Sequence, residues 1–288
     1  MEILITGSNG FIGKNLYDYY KYDKTNNYIF GTTSQLNGFV KFNNYYNNME
    51  EILVNAKIDC IIHLAAVIPS SFESADFNDV FLSNANIMNN MYEFSIKNGI
   101  KKFIYISGFG SMEDYRNYKI KDYYTLSKIH GEHVCAMMEN KGIETASLRI
   151  SAPYGKGSNK KSVINTFINN SLNGLDINIY GTGKREQNFI YVDDIIHAIE
   201  LFVTTNNKIN GVYSIIADKN TSMLNLAEII KSICNSKSKI KIGKYDDIQE
   251  SFKPSYDYDR AYREVGFKPK YNIYDGLKKY IELYVDGI

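Results

Sequence analysis

The chain has 288 residues and a mass of 33.0 kDa, room for one large α/β domain or two smaller ones and for a core that needs no disulfide or metal staple. Lys and Arg number 33 against 32 Asp and Glu, a net charge of +1 and a pI near 7.6, which argues against a nucleic-acid or membrane-surface protein. Cys60, Cys135 and Cys234 lie far apart without a CxxC, so neither a disulfide framework nor a zinc ribbon is encoded. A reducing, cytoplasmic setting is expected. The N-terminus opens into a strand-like run with no signal-peptide pattern, and no apolar stretch reaches the ~18 residues of a membrane span. The chain carries 25 Tyr and no Trp, so a lone tyrosine carries little information here.

The first half alternates strand and helix signals. Ile3–Thr6 predicts a buried strand ending at Gly7, followed by a helix from Phe11 to about Tyr22. Strands are predicted at Tyr28–Thr32 and, weakly, Phe39–Phe42, then a helix at Glu50–Ala56 and a near-continuously apolar strand at Asp59–Ala66. A helix over about Asp79–Lys97 stops at Asn98-Gly99. Strand Lys102–Ser107, helix Tyr124–Asn140 and strand Glu144–Ile150 follow. Strands separated by helices mean βαβ units and a parallel sheet, and apolar strands mean burial on both faces. Beyond about residue 155 the order is less regular. Helices are predicted at Ser162–Leu172, Asp194–Phe202 and Met223–Cys234. Strands are predicted at Ile177–Tyr180, Phe189–Val192, Gly211–Ile216 and Ile240–Ile242. With no linker or repeat, this reads as one sheet-based domain and a smaller, interleaved C-terminal part.

Gly7, Gly10 and Gly13 fall in Thr6-Gly-Ser-Asn-Gly-Phe-Ile-Gly13, between the first strand and the first helix. Glycines there allow a tight turn, close backbone approach to a pyrophosphate and close helix–strand packing. The helix N-terminus adds free N–H groups and partial positive charge. The strand–turn–helix context points to a dinucleotide site using Gly7, Asn9, Gly10, Phe11, Ile12 and Gly13. Tyr124 and Lys128 are spaced to share one helix face. An ammonium beside a phenol favours phenolate and lowers the tyrosine pKa towards neutrality, as an acid/base at a substrate oxygen requires. YxxxK also occurs at Tyr17/Lys21, Tyr20/Lys24, Tyr115/Lys119, Tyr180/Lys184 and Tyr274/Lys278. Only Tyr124/Lys128 opens the helix after the Lys102–Ser107 strand.

The GxxGxxG spacing, His63-Leu-Ala-Ala66, Tyr124-Thr-Leu-Ser-Lys128 with Glu132, Leu148-Arg149 with Pro153-Tyr-Gly155, Asn188-Phe-Ile-Tyr-Val-Asp-Asp194 and Val265-Gly-Phe-Lys-Pro269 span nearly the whole chain. Together they resemble the extended short-chain dehydrogenase/reductase family, the nucleotide-sugar epimerases, dehydratases and reductases. The resemblance implies an α/β, Rossmann-type doubly wound parallel sheet with a smaller interleaved C-terminal α/β substrate lobe. Residues 1–155 would bind the dinucleotide, with 189–216 returning to that domain, while 156–188 and 217–288 form the lobe. It implies further cofactor contacts from Leu64, Ala65, Ala66, Tyr124, Lys128 and Pro153, the lysine holding the nicotinamide ribose. It implies Asn84, Ser111, Arg185 and Gln187 on the substrate side, and a homodimer through a four-helix interface that includes the Tyr124–Asn140 helix.

The sequence departs from the family at informative places. Gly108 stands where a substrate-bonding Ser or Thr is usual, leaving Ser107 or Ser111 as the replacement hydroxyl, although strand alternation turns Ser107 to the face opposite Gly108. Phe109-Gly110 replaces the Asp-Glu pair of dehydratases, which disfavours dehydration. Ala152 replaces a substrate-binding Asn, and Gln187 an Arg that reaches the nucleotide phosphates, a charge that Lys184 or Arg185 could restore. The second strand ends in Gly31-Thr-Thr-Ser34 without the carboxylate that accepts the ribose hydroxyls of NAD. Thr33 and Ser34 could instead meet a 2′-phosphate, so NADP is favoured over NAD. His63 is expected to position backbone near the cofactor, Cys135 to be core beside Met138, and Arg149 to be structural. Asp193-Asp194 are expected to cap the helix from Ile195 and pack the two parts together. His130-Gly-Glu-His133 lacks HExxH spacing, and no metal is expected. The leading expectation is an NADPH-dependent 4-keto-sugar reductase acting on a nucleotide sugar. A 4-epimerase with tightly held NAD is the close alternative, and a dinucleotide-sensing regulator that has lost turnover is the alternative from another class.

Overall fold

The computed structural model describes residues 1–71, 74–110, 120–243, 245–251 and 254–285. In chain order, β1 (Glu2–Thr6), α1 (Phe11–Tyr20), β2 (Asn27–Thr32), β3 (Val40–Lys41), α2 (Met49–Ile52) and β4 (Cys60–His63) come first. A π-helical turn at Phe77–Leu82 runs into α3 (Ser83–Lys97), followed by β5 (Lys102–Gly108), α4 (Tyr123–Glu139), β6 (Glu144–Ile150), β7 (Ala152–Tyr154) and α5 (Val163–Leu172). Then come β8 (Ile177–Ile179), β9 (Glu186–Gln187), β10 (Phe189–Tyr191), α6 (Val192–Thr204), β11 (Val212–Ile215), β12 (Thr221–Ser222), α7 (Met223–Ile233), β13 (Ile240–Ile242), α8 (Arg260–Val265) and α9 (Ile273–Val285).

Seven strands form a parallel sheet in the order β11-β6-β5-β4-β1-β2-β3. The order reverses direction beside β1, so the sheet is doubly wound. The crevice at that switch point, beyond the carboxyl ends of β1 and β4, is where such sheets bind ligands. Central strands such as Cys60-Ile-Ile-His63 are buried along their whole length because helices cover both faces. One face packs Ile3, Ile5, Ile62 and Ile104 with Leu16 of α1 and Ile195, Ile199 and Phe202 of α6. The other packs Leu4, Ile61 and Phe103 with Met88 and Met91 of α3 and Val134, Cys135 and Met138 of α4. A third cluster joins Tyr154, Phe167, Ile177, Tyr191, Leu226, Leu277 and Tyr280 from the C-terminal elements. Among the described residues no helix is long and apolar enough to cross a membrane.

The strand predicted at Asp59–Ala66 is shorter: after His63 the backbone leaves the sheet and Leu64–Ala66 becomes the wall of a cleft. The helix predicted from Asp194 begins at Val192, with Tyr191 as its N-cap residue. Asp193 and Asp194 therefore sit in its first turn rather than at its cap. They still join distant segments. Asp194 accepts from the N–H groups of Lys270 (2.8 Å) and Tyr271 (3.2 Å), and Asp193 pairs with Lys279 of α9 at 2.7 Å.

Candidate active site

The glycine turn is held by steric facts that only glycine satisfies. Gly7 has φ +68°, and a Cβ there would lie 2.6 Å from the Ala65 nitrogen. A Cβ on Gly13 would lie 2.5 Å from the Gly7 oxygen and 2.6 Å from the Ser8 Cα, so α1 rests directly on the turn. Gly10 caps α1 and donates to the Gly7 carbonyl at 2.9 Å. The first N–H groups of α1 have no partner within the helix, which makes its N-terminus an anion site.

The turn opens on a cleft of about 470 Å³. Of the residues expected to bind a cofactor, Gly7, Asn9, Gly10, Thr33, Ser34, Leu64, Ala65 and Ala66 line it. Gly13 is buried beneath the turn, while the side chains of Phe11 and Ile12 pack against the apolar clusters. Pro153 lies on β7, opposite Ile190 of β10. The cleft wall also includes Asn44, Tyr45, Tyr46 and Ile68, which the sequence reading missed. A cradle that any Cβ would fill, a free helix N-terminus and an adjoining cleft fit a dinucleotide.

The floor is a small buried network. The Thr6 hydroxyl meets His63 Nδ1 at 2.7 Å and accepts from the Ala65 N–H at 3.4 Å. Burial, then the nearby Lys128 charge, pushes His63 down to about 3. It is neutral and joins the end of β4 to the end of β1.

The Tyr–Lys pair lies at the start of α4. Asp122 caps this helix, accepting from the Thr125 N–H at 2.7 Å and its hydroxyl at 2.8 Å, which places Tyr124 in the first turn and Lys128 one turn on. Lys128 is buried, and its ammonium donates to the Ile106 carbonyl at 2.9 Å. It lies 5.7 Å from the centre of the Tyr124 ring and 5.1 Å from that of Tyr105. The expected fall in the Tyr124 pKa is not found in this structure. Burial, helped by Asp122, raises the phenol to about 12. Burial also lowers Lys128 to about 8, with Glu132 partly opposing. Removing water penalises charge on either group, so the phenol stays neutral.

The other candidates separate clearly. The Ser107 hydroxyl donates to Glu132 Oε1 at 2.6 Å, and Glu132 receives Arg149 Nε at 2.7 Å and Nη2 at 2.6 Å. The Ser107 proton thus points into a buried structural ion pair, a poor place from which to bond a substrate. Ser111 lies outside the described residues. Asn84 is also engaged within the protein. Its Oδ1 accepts from the Val67 N–H at 2.7 Å, and its Nδ2 donates to the Val67 carbonyl (3.1 Å) and the Ser127 hydroxyl (3.0 Å). It ties the cleft wall to α4. Arg185 and Gln187 meet at 3.4 Å, but Arg185 also pairs with Asp247 at 2.6 Å, so its charge is largely balanced.

A doubly wound sheet with a glycine cradle at its switch point and, beside it, a half-buried tyrosine one turn from a buried lysine defines a dinucleotide-dependent enzyme. Residues 3–215 match the model of the NAD dependent epimerase/dehydratase family, and the chain belongs to that family. It is 30% identical to the dTDP-D-glucose 4,6-dehydratase of Dictyostelium discoideum, across 81% of this chain and 62% of that protein. It is 26% identical to the dTDP-4-dehydro-6-deoxyglucose reductase of Escherichia coli, across 97% of this chain and 96% of that one. A crystal structure of UDP-glucose 4-epimerase from Thermotoga maritima with UDP-glucose superposes with a TM-score of 0.86 at 24% identity, covering 100% of this chain and 99% of that one.

Proposed function

We propose that this protein reduces a 4-keto nucleotide sugar, with Tyr124 giving a proton to the carbonyl oxygen as hydride reaches the carbon. The observation that carries the reading is Tyr124 in the first turn of α4 with Lys128 one turn on, its ammonium anchored on the Ile106 carbonyl and 5.7 Å from the centre of the Tyr124 ring; a tyrosine phenol carries its proton at neutral pH, the state a reduction needs. A bound nicotinamide would supply the hydride. Gly7, Asn9, Gly10 and the α1 N-terminus would hold the pyrophosphate, and Lys128, fixed by Ile106, the nicotinamide ribose. Leu64–Ala66 would wall the cofactor on its β4 side. Thr33 and Ser34, exposed at the mouth of the cleft with no carboxylate beside them on β2, favour NADP over NAD. The absence of an acid pair at Phe109-Gly110 speaks against a dehydratase. Arg185 and Gln187 would face the nucleotide of the substrate, with residues 156–188 and 217–288 forming the substrate lobe. A homodimer would use a four-helix interface that includes α4, on which Tyr123 and Met137 are exposed.

The family's description, NAD dependent epimerase/dehydratase, favours a second reading, a 4-epimerase that oxidises and re-reduces the same carbon with tightly held NAD. The test is Tyr124→Phe with a panel of 4-keto nucleotide sugars. The variant should fold, bind cofactor and lose turnover by about 10²–10⁴-fold, the usual worth of a general acid. Wild-type turnover in Tyr124→Phe would sink the assignment.

A further inference from the structure

Tyr46 is one of two non-glycine residues at positive φ among the described residues, at +60°. A bulky side chain in the left-handed region is a genuine outlier, and such outliers persist only where surrounding contacts enforce them. Here the loop after β3 does so. The Asn43 side chain accepts from the N–H groups of Tyr45 (3.3 Å) and Asn47 (3.1 Å), and its carbonyl accepts from the Tyr46 N–H at 3.1 Å. Asn90 of α3 holds the Tyr45 carbonyl at 2.8 Å.

The outcome is that the Tyr46 ring is buried beside Phe42, while its hydroxyl reaches the glycine turn and accepts the Gly7 N–H at 3.2 Å. A phenol oxygen that accepts still has one proton to donate. Among the described residues that proton meets no acceptor, and Tyr46 lines the same cleft as Gly7, Asn9 and Gly10. A buried donor without a partner costs free energy, and the cleft is where a partner can arrive.

We propose that Tyr46 is a cofactor-binding residue whose hydroxyl, oriented by the Gly7 N–H, donates to an oxygen of the adenosine-diphosphate half of the dinucleotide. This rests on the cofactor reading above.

The test is titration of cofactor-free protein with ADP, read by calorimetry, together with thermal melting of the unliganded protein. Tyr46→Phe keeps the ring and removes only the hydroxyl. The ADP dissociation constant should rise about tenfold, the range expected for a hydrogen bond to a charged group, with unliganded Tm lowered by a few degrees at most, because the Gly7 N–H loses its acceptor. Asn43→Ala keeps the hydroxyl but loosens the loop that aims it, and should raise the same constant less, about threefold by the same scale. An ADP constant unchanged in Tyr46→Phe, or in Asn43→Ala should Tyr46→Phe fail to fold, overturns the proposal and leaves Tyr46 as a cap for Gly7. Wild-type protein that binds neither ADP nor NAD(P) overturns the cofactor reading itself.

Discussion

Replacing Gly13 by Ala sets two effects against each other. In a helix interior the change normally gains about 1 kcal/mol, because glycine is the poorer helix former. Here the new methyl would lie 2.5 Å from the Gly7 oxygen and 2.6 and 2.7 Å from the Ser8 Cα and carbonyl carbon, where ordinary contact is roughly 3.5–4.0 Å. All three neighbours are backbone, so no rotamer change relieves them; α1 and the turn must separate by about 1 Å. Overpacking of this kind costs about 1–3 kcal/mol, which outweighs the helical gain or cancels it. Stability should therefore fall by up to about 2 kcal/mol, and Tm by a few degrees. Cofactor binding should suffer more. Under the proposed function the displaced N–H groups are the ones that would face the phosphates, and one such charge-assisted bond is worth about 1.5–3 kcal/mol, at least tenfold in the dissociation constant. Thermal melting and NAD(P) titration of Gly13→Ala check both. A variant with raised Tm and unchanged cofactor affinity would refute the close packing of helix on turn.

Arg149→Met strands the Glu132 carboxylate in the core and should cost about 3–5 kcal/mol in urea denaturation, most of it recovered when Glu132 is also made Met; a single-variant cost below about 1 kcal/mol would contradict the buried pair. Lys128→Met tests the buried ammonium through pH. Unfolded Lys keeps its proton up to about 10.5 and the folded group releases it near about 8. Between these values the unfolded state binds more protons, so wild-type stability rises with pH. Relative to Lys128→Met, it should gain up to about 3 kcal/mol from below pH 8 to above 10. A difference that is flat or falls with pH would contradict the assignment.

The apolar strands and the helices between them were legible because burial on both faces leaves continuous Ile-rich runs. The glycine turn was legible because its chemistry is local: strand, turn and helix are adjacent in sequence. Tyr124 and Lys128 were separable from five other YxxxK pairs only by position after β5. Other features rest on contacts between distant segments. The two-residue strands β9 and β12 are polar and exist by pairing with each other. The amphipathic pattern of α9 is carried by Gly276, Leu277, Tyr280 and Ile281, partly hidden by its lysines and tyrosines. The hydrogen bonds of Ser107 to Glu132 and of Asn84 to Val67 join segments distant in sequence, and no local pattern encodes them. Tyr46 gave no signal among 25 tyrosines. The expected fall in the Tyr124 pKa missed the loss of water around both groups, which spacing along a helix does not reveal.

The most direct test of a reversible NADPH-dependent reductase is mass spectrometry of nucleotide released from denatured, freshly purified protein, paired with NAD(H) and NADP(H) titration of the emptied protein. Little trapped nucleotide and reversible binding with NADPH preferred are expected. Stoichiometric trapped NAD would contradict the reductase reading and point to a self-recycling epimerase.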